Sequence, residues 1–471
     1  MSLLALQSLL PQLTLALGAT TILILGAWIQ NRQLWIYAGL LLALGSALAA
    51  GLVEPALPEV AGMYATSLYA RFCTVLWALT IAATLLMSAR YAEVHRFGGG
   101  EYAALLLFAG AGMSLLSAAT SLVGLFLGLE AFTLVLYILI AFKRNDNRGA
   151  EAGLKYLVFG AVATGFLAFG IALIYTAAGT FHLQEALAGL QVGGVMRPLG
   201  LAGWAMLLVA VGFKISLVPF HLWTPDVYQG APAPISGLLA TAAKGAVLAA
   251  FLPLLSLLGP AAGEIKNVLW VLAVLTMLAG TFAALPQTNL KRMLAYSSIV
   301  HMGYLLISLL VGGDDGGQAL LFYLVVYTFA TFGAFGVVTS FASEEGEVQD
   351  YQDLRGLGYL HPWRSCLLAV FMLSLAGIPP LAGFFAKFGL FRAALGHGFV
   401  ALAIIGVFVS LVSVYYYLRP IITLFMQGEG TCSMRSGART EYLLLAGCFV
   451  AILILGLYPG PLLSLAFRVL P

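Results

Sequence analysis

Charged residues are scarce in this sequence. Only 9% of its 471 residues are Asp, Glu, Lys or Arg, and 62% are hydrophobic, whereas a soluble domain carries about 25% charged residues. A soluble fold of this length cannot bury so much apolar surface, so the composition excludes a water-soluble protein and indicates a lipid environment. The small net charge of +3 is spread too thinly to form the basic stripe that nucleic-acid binding requires.

Cysteine is also rare, and recognisable cofactor motifs are missing. The four cysteines stand alone, without a CxxC pair, at Cys73, Cys366, Cys432 and Cys448. This spacing excludes an obvious zinc or iron–sulfur site. The glycine run at 98–100 does not match the phosphate-binding pattern GxxxxGK[ST]. The sequence therefore predicts no metal or cofactor site in this chain.

Long hydrophobic runs dominate what is present. A bilayer core about 30 Å thick needs ~20 apolar residues per helix. Measured against that length, the chain is predicted to be an all-α polytopic membrane protein with about fourteen transmembrane helices. They are predicted near 9–29, 34–53, 69–89, 102–118, 121–142, 155–178, 200–220, 231–258, 268–286, 293–311, 318–342, 364–391, 399–425 and 441–463.

The basic residues are distributed unevenly between the two sides of these helices. Fourteen of the 22 fall in connections that follow odd-numbered helices, and five fall in the other connections or at the C-terminal end. The positive-inside rule then places the odd connections in the cytoplasm and both termini outside.

Four ionisable residues fall deep within predicted helices: Glu130, Lys214, Lys244 and Lys387. A charge at the bilayer centre costs roughly 2.5–3.5 kcal/mol on insertion scales, so such residues usually mark an ion or proton path. The alternative for any one lysine is snorkelling to the interface or a buried ion pair that orients two helices. Three lysines together with one glutamate favour the proton path.

Two of these lysines share a helix with proline. Lys214 precedes Pro219 in helix seven, and Lys387 follows Pro379-Pro380 in helix twelve. Broken helices persist in membranes only where protein or water satisfies the freed backbone groups, and we expect the break at Pro219 to free groups that hold water. For either break taken alone, the alternative is that the membrane helix tolerates proline and the break has no functional role.

Helices seven and twelve are five helices apart, which predicts two inverted five-helix repeats with ion sites near the midplane. The predicted division is an N-terminal three-helix segment at 1–101, a first repeat at 102–258, a second repeat at 268–425 and a C-terminal helix at 441–471.

Two histidines and one aspartate near these positions have open roles. His301, in AYSSIVHMGYLL, occupies the place in helix ten that Glu130 holds in helix five. It either relays protons, since imidazole titrates near neutrality, or packs against a neighbouring carbonyl. His221 is a weaker candidate at the first break. Asp226 is predicted to cap the turn that follows.

Three motifs resemble one known family. FKISLVPFHLWTPDVYQGAPAPISGLLATAAK, LKRMLAYSSIVHMGY and SLAGIPPLAGFFAKFGLF are similar to subunit N of bacterial NADH-quinone oxidoreductase (respiratory complex I), the homologue of mitochondrial NADH dehydrogenase subunit 2. The resemblance spans helices four to thirteen. Antiporter-like relatives share the FHxWxPD core, whereas the continuation DVYQGAPAP is typical of subunit N.

The resemblance implies a proton-translocating subunit of the membrane arm in the bacterial cytoplasmic (inner) membrane. Neighbouring antiporter-like subunits would be its partners, quinone would be reached only through the complex, and flavin and iron–sulfur clusters would reside in other subunits. By position, Glu130 would pair with Lys214, Lys244 would be the helix-eight relay and Lys387 the helix-twelve lysine. Our hypothesis for the complete path runs from Glu130 and Lys214 through Lys244, then through His301 with water, and ends at Lys387.

Two rival functions remain open from the sequence. An Mrp-type cation/proton antiporter subunit would share the repeats, the broken helices and the lysines, although DVYQGAPAP argues against it. A scaffold that transports nothing would use the charges only to lock helices together.

Overall fold

The computed structural model describes residues 3–143, 146–188, 196–256, 263–343, 346–427 and 439–470. Within these ranges, twelve helices are long and apolar enough to cross a membrane. Two shorter apolar helices, Leu10–Gly26 and Pro362–Ala376, coincide with the remaining two predicted spans. The prediction of an all-α polytopic membrane protein is therefore confirmed.

The N-terminal segment begins with four helices and one small hairpin. Asn31 and Ser67 precede the third and fourth helices, and their side chains accept hydrogen bonds from the free backbone N–H groups of Leu34 and Ala70. The antiparallel hairpin pairs Glu59 with Ala65. The elements are α1 (Leu3–Ser8), α2 (Leu10–Gly26), α3 (Arg32–Leu52), β1 (Glu59–Val60), β2 (Tyr64–Ala65) and α4 (Leu68–Val94).

The next group of helices contains the first break. Helix seven was predicted to run from 200 to 220, but it ends at Lys214, and a second short helix begins at Trp223. Proline at 219 lacks the N–H that would continue the helix. The elements are α5 (Gly100–Ser117), α6 (Leu122–Ile140), α7 (Asn147–Ala178), α8 (Leu183–Ala188), α9 (Arg197–Lys214), α10 (Trp223–Gly230), α11 (Ala233–Leu238), a π-helical turn (Leu239–Ala243) and α12 (Lys244–Ser256).

The remaining helices contain the second break. The predicted helix at 364–391 is two helices, because the first ends at Ala376, before Pro379-Pro380, and Gly377 adopts a left-handed conformation (φ 86°). The elements are α13 (Gly263–Ala284), α14 (Leu290–Val311), α15 (Gly313–Ser340), α16 (Tyr351–Leu354), α17 (Leu357–Leu360), α18 (Pro362–Ala376), α19 (Ala382–Gly396), α20 (Val400–Leu424), α21 (Arg439–Leu457) and α22 (Gly460–Arg468).

The centre of the molecule is formed by α11, α12, α14 and α15, which are buried along nearly their whole length. In contrast, α3, α7 and α20 keep broad apolar faces exposed. The packing order repeats, since α5 packs on α6 and α6 on α7, just as α13 packs on α14 and α14 on α15. The division into repeats at 102–258 and 268–425 stays a prediction, and the predicted ends at 258 and 471 lie outside the described residues.

Candidate functional site

Lys214 and Glu130 form a buried ion pair at the first break. Lys214 is the last residue of α9, and its Nζ lies 3.5 Å from Glu130 Oε1 on α6 and 3.5 Å from the Tyr137 hydroxyl. The lysine and glutamate side chains are 2% and 14% exposed. The same Glu130 oxygen accepts a hydrogen bond from the Thr164 hydroxyl at 2.8 Å. The carboxylate is therefore held between a cation and a neutral donor.

Some of the backbone carbonyls at the first break are hydrogen-bonded to protein donors. The Phe213 carbonyl accepts a hydrogen bond from the Trp223 indole at 3.1 Å, and the Gly212 carbonyl accepts one from the Leu217 N–H. These freed groups were expected to hold water. Protein donors occupy these two carbonyls, one because the indole of α10 folds back onto the end of α9 and the other because the chain turns within the break.

Lys244 lies at the point where the π-helical turn meets α12. Its Nζ donates to Ser298 Oγ at 2.7 Å and faces the rings of Tyr228 and Trp223, at 5.2 and 6.0 Å from their centroids. The side chain is fully buried. Ring faces carry partial negative charge, so they stabilise the ammonium form without a carboxylate. Single π-turns within helices occur frequently at functional sites.

His301 is held by two tyrosines in the middle of α14. Its Nδ1 lies 2.7 Å from the Tyr323 hydroxyl on α15, and its Nε2 lies 3.0 Å from the Tyr417 hydroxyl on α20. A neutral imidazole has one nitrogen that donates and one that accepts. One tyrosine hydroxyl therefore accepts a hydrogen bond from the imidazole, while the other donates one to it. This arrangement is suited to proton transfer.

Lys387 lies beside the second break. Its Nζ donates to the carbonyl of Ala376, the last residue of α18, and to Ser410 Oγ, both at 2.9 Å. It also lies 5.2 Å from the centroid of the Tyr304 ring. The helix break thus supplies the carbonyl that binds this buried cation.

The five predicted site residues form a row through the interior. Glu130 contacts Lys214, and His301 and Lys387 line one small cavity. Lys244 contacts the surroundings of both groups: its partner Ser298 is on α14, three residues before His301, and it faces Trp223, whose indole bonds to the residue before Lys214. Aromatic rings occupy the space between the first two lysines, with Tyr137 packed on Tyr156 and Tyr156 packed on Trp223.

Asp226 and His221, whose roles near the first break were undecided from the sequence, have different surroundings. Asp226 was predicted to cap a turn, and this is wrong. It lies in the first turn of α10, where its carboxylate binds Lys155 at 2.8 Å and Arg292 at 2.7 Å. Both partners are distant in the chain, so local sequence could not reveal them. His221 lies within the break and is half-buried.

Sequence reasoning missed several residues of the interior. Ser298 and Tyr417 contact Lys244 and His301 directly. Lys291 was assigned to a connection, because α14 was predicted to begin at 293 and not at Leu290; it forms a buried pair with Glu347, which lies in the connection after α15. The lysine within LKRMLAYSS was the available signal. In the described ranges, no group of three or more His, Cys, Asp or Glu is arranged to hold a metal ion.

Comparisons with known proteins show the family of this chain. Residues 119–413 match the family described as NADH:quinone oxidoreductase/Mrp antiporter, TM. The chain is 50% identical over 461 residues to NADH-quinone oxidoreductase subunit N of Syntrophotalea carbinolica, covering 97% of each chain. The chain belongs to the NADH-quinone oxidoreductase subunit N family. It is thus an antiporter-like membrane-arm subunit of a proton-pumping enzyme.

Solved structures place this family in multi-subunit membrane complexes. A chain of respiratory complex I from Thermus thermophilus with bound Aureothin is 34% identical, with a TM-score of 0.83 and coverage of 97% of this chain and 99% of that one. A chain of the Mrp complex from Dietzia sp. has a TM-score of 0.87 at 22% identity, covering 100% of this chain and 97% of that one. At this low identity, the similarity to the Mrp chain shows only that the two proteins share a fold.

Proposed function

We propose that this subunit moves protons along the row from Glu130 and Lys214, through Lys244 and His301, to Lys387. The observation that carries the proposal is the placement of His301 and Lys387 in one cavity, with Lys244 bonded to the same helix that bears His301. Each basic group has a hydroxyl within hydrogen-bonding distance, which gives a proton a neighbouring acceptor.

The ion pair at the first break gives the row a switch. An ionised Glu130 stabilises the ammonium form of Lys214, whereas burial favours the neutral amine. Moving the carboxylate towards Thr164 and away from the lysine would release a proton towards Lys244. Hydroxyl groups or water would carry it past the aromatic rings of Tyr137 and Tyr156.

The setting of this activity follows from the family. The neighbouring antiporter-like subunits of the membrane arm are the proposed partners, and quinone reduction takes place elsewhere in the complex. Flavin and iron–sulfur clusters belong to partner subunits in this proposal. The chain would lie in the bacterial inner membrane with both termini outside, as the distribution of basic residues indicates.

Replacement of Lys387 by arginine tests the relay. Arginine keeps the positive charge but effectively never deprotonates in proteins. An assembled Lys387→Arg complex should therefore move far fewer protons per electron passed to quinone, measured as proton uptake by inverted membrane vesicles. Arginine is bulkier and bonds in a fork, so assembly is checked first on native gels. Wild-type pumping by the assembled variant would remove Lys387 from the relay.

A further inference from the structure

The backbone of the short connection between α10 and α11 is only partly bonded by its own neighbours, since the Ala231 N–H donates to the Val227 carbonyl and the Pro232 carbonyl accepts from Ile235, whereas the Ala233 N–H lies at the start of α11, where a helix leaves its first N–H groups free. Pro232 and Pro234 have no N–H groups, and no side chain of the connection caps α11. The connection joins the helix that carries Tyr228 to the helix that leads, through the π-helical turn, to Lys244. Its geometry therefore affects where Lys244 lies.

Two buried side chains that are distant in the sequence bind the backbone of this connection. Lys291 Nζ on α14 donates to the Ala231 carbonyl, and the Ala233 N–H donates to Glu347 Oε1 at 2.8 Å. Lys291 and Glu347 are themselves 2.7 Å apart, and their side chains are 0% and 7% exposed. One buried ion pair thus binds both sides of the connection.

Glu347 also joins a third part of the molecule. Its carboxylate accepts hydrogen bonds from the Tyr91 hydroxyl on α4 and from Gln349 Nε2. Burial alone would raise the pKa of this carboxyl, but the Lys291 ammonium, the Tyr91 hydroxyl and the Ala233 N–H outweigh burial, so its pKa is lowered and it is ionised at neutral pH. Removing one partner of such a buried pair is costly, because the other charge remains buried.

The same helix holds Lys244 two turns further along. Ser298, which accepts the hydrogen bond from Lys244, is seven residues after Lys291 on α14. Residues seven apart share one face of a helix and lie about 10.5 Å apart along its axis. Helix α14 therefore binds the connection through Lys291 and binds Lys244 through Ser298. These two contacts set the register of α11 and α12 against α14.

We propose that Lys291 and Glu347 are positioning residues, which clamp the Ala231–Ala233 backbone and thereby hold Lys244 in contact with Ser298. This inference rests on the proposed role of Lys244 in the relay. It explains why a buried charged pair is placed at a proline-rich connection. Within α11, Ser236 Oγ reaches the Ala231 carbonyl only at 3.4 Å, so Lys291 supplies that carbonyl with its short donor, and Glu347 accepts from the Ala233 N–H.

A charge exchange separates this clamp from a simple ion pair. The double variant Lys291→Glu/Glu347→Lys restores opposite charges, but glutamate at 291 cannot donate to the Ala231 carbonyl and lysine at 347 cannot accept from the Ala233 N–H. We expect Glu347→Ala and the exchanged pair both to pump less than half the wild-type protons per electron. Glu347→Gln should retain more, since its amide oxygen still accepts from Ala233.

The control is an exposed ion pair that joins two other helices, α9 and α13. Arg197 and Glu264 lie 2.9 Å apart with side chains 36% and 58% exposed. Exposed pairs contribute little, so Arg197→Gln/Glu264→Gln should pump normally. Every variant is studied in the intact complex, after its assembly has been measured on native gels. If Glu347→Ala does not assemble, Glu347→Gln and the exchanged pair supply the test.

The outcomes distinguish the clamp from the relay. Full pumping by the exchanged pair would overturn the backbone clamp, as would full pumping by assembled Glu347→Ala. Pumping by Glu347→Gln that is no higher than that of the exchanged pair would also overturn it. Lys244→Ala serves as the reference, since normal pumping by that variant would overturn the relay role on which the clamp rests. Loss of pumping in Lys244→Ala, together with normal pumping in the clamp variants, would refute the clamp alone.

Discussion

The three buried lysines are stabilised in three different ways. Lys214 has a carboxylate partner, Lys244 faces aromatic rings and one hydroxyl, and Lys387 binds a carbonyl at a helix end. A carboxylate can change its charge or position, whereas a ring or a carbonyl is fixed. The residues therefore differ in how easily their proton affinity is altered, and Lys214 is the one best placed to act as a switch.

The Glu130–Lys214 pair should behave as one unit. Glu130→Ala and Lys214→Ala are each expected to impair proton pumping, because each leaves its partner buried without its counter-charge. The double variant should be only about as impaired as the worse single variant, since contacting residues are not additive. Proton uptake per electron in vesicles measures this. Losses that simply add would show that the two residues do not share a step.

The three consecutive tyrosines of α20 provide a matched comparison. Tyr417→Phe removes the hydroxyl that lies 3.0 Å from His301 Nε2 and leaves the ring in place. We expect a several-fold loss of pumping, because a buried imidazole nitrogen loses its partner. Tyr415→Phe should have no effect, since that side chain is 60% exposed. Equal pumping by the two variants would assign His301 a packing role only.

At the scale of the elements, both breaks place a buried lysine next to the end of a half-helix. Lys214 ends α9, whereas Lys387 lies on the second half-helix, α19, and reaches back to the carbonyl that ends α18. Freed carbonyls at a helix end carry partial negative charge, which stabilises a cation. Each break is thus a polar feature in an otherwise apolar segment, and proline placement in the sequence indicates its position.

Substitution of Gly377 tests whether the second helix break positions Lys387. It adopts a positive φ of 86°, and a Cβ there would lie 2.9 Å from Lys387 Cδ. Gly377→Ala should therefore displace the lysine as well as strain the backbone. Gly398→Ala has the same strain (φ 82°) without any neighbour within 4 Å, so it is the control. The strain costs roughly 1 kcal/mol in either case.

The expected readouts of the two glycine variants differ. Gly398→Ala should lower the thermal stability of the complex slightly and leave protons per electron unchanged. Gly377→Ala should lower both. Equal pumping by the two assembled complexes would mean that Lys387 tolerates displacement, which contradicts its place in the relay.

At the scale of the whole molecule, the exposed apolar faces of α3, α7 and α20 leave room for neighbouring subunits as well as lipid. We expect the chain to accumulate only with those subunits and to copurify with peripheral flavin and iron–sulfur subunits. Native gels of solubilised membranes, followed by identification of the associated chains, measure this. An abundant monomer would contradict the prediction, and copurification with antiporter subunits alone would favour the Mrp-type alternative.

The sequence by itself determined the spans, the breaks and the four intramembrane charges, because membrane insertion and proline geometry depend on local composition. Only the tertiary structure decided which groups these charges meet. Asp226 binds Lys155 and Arg292 in place of a cap, and Lys291 and Glu347 form a buried pair although Lys291 lies at the start of α14 and Glu347 lies in a connection. Such partners come together through the packing of helices that are far apart in the chain, and no local pattern encodes that packing.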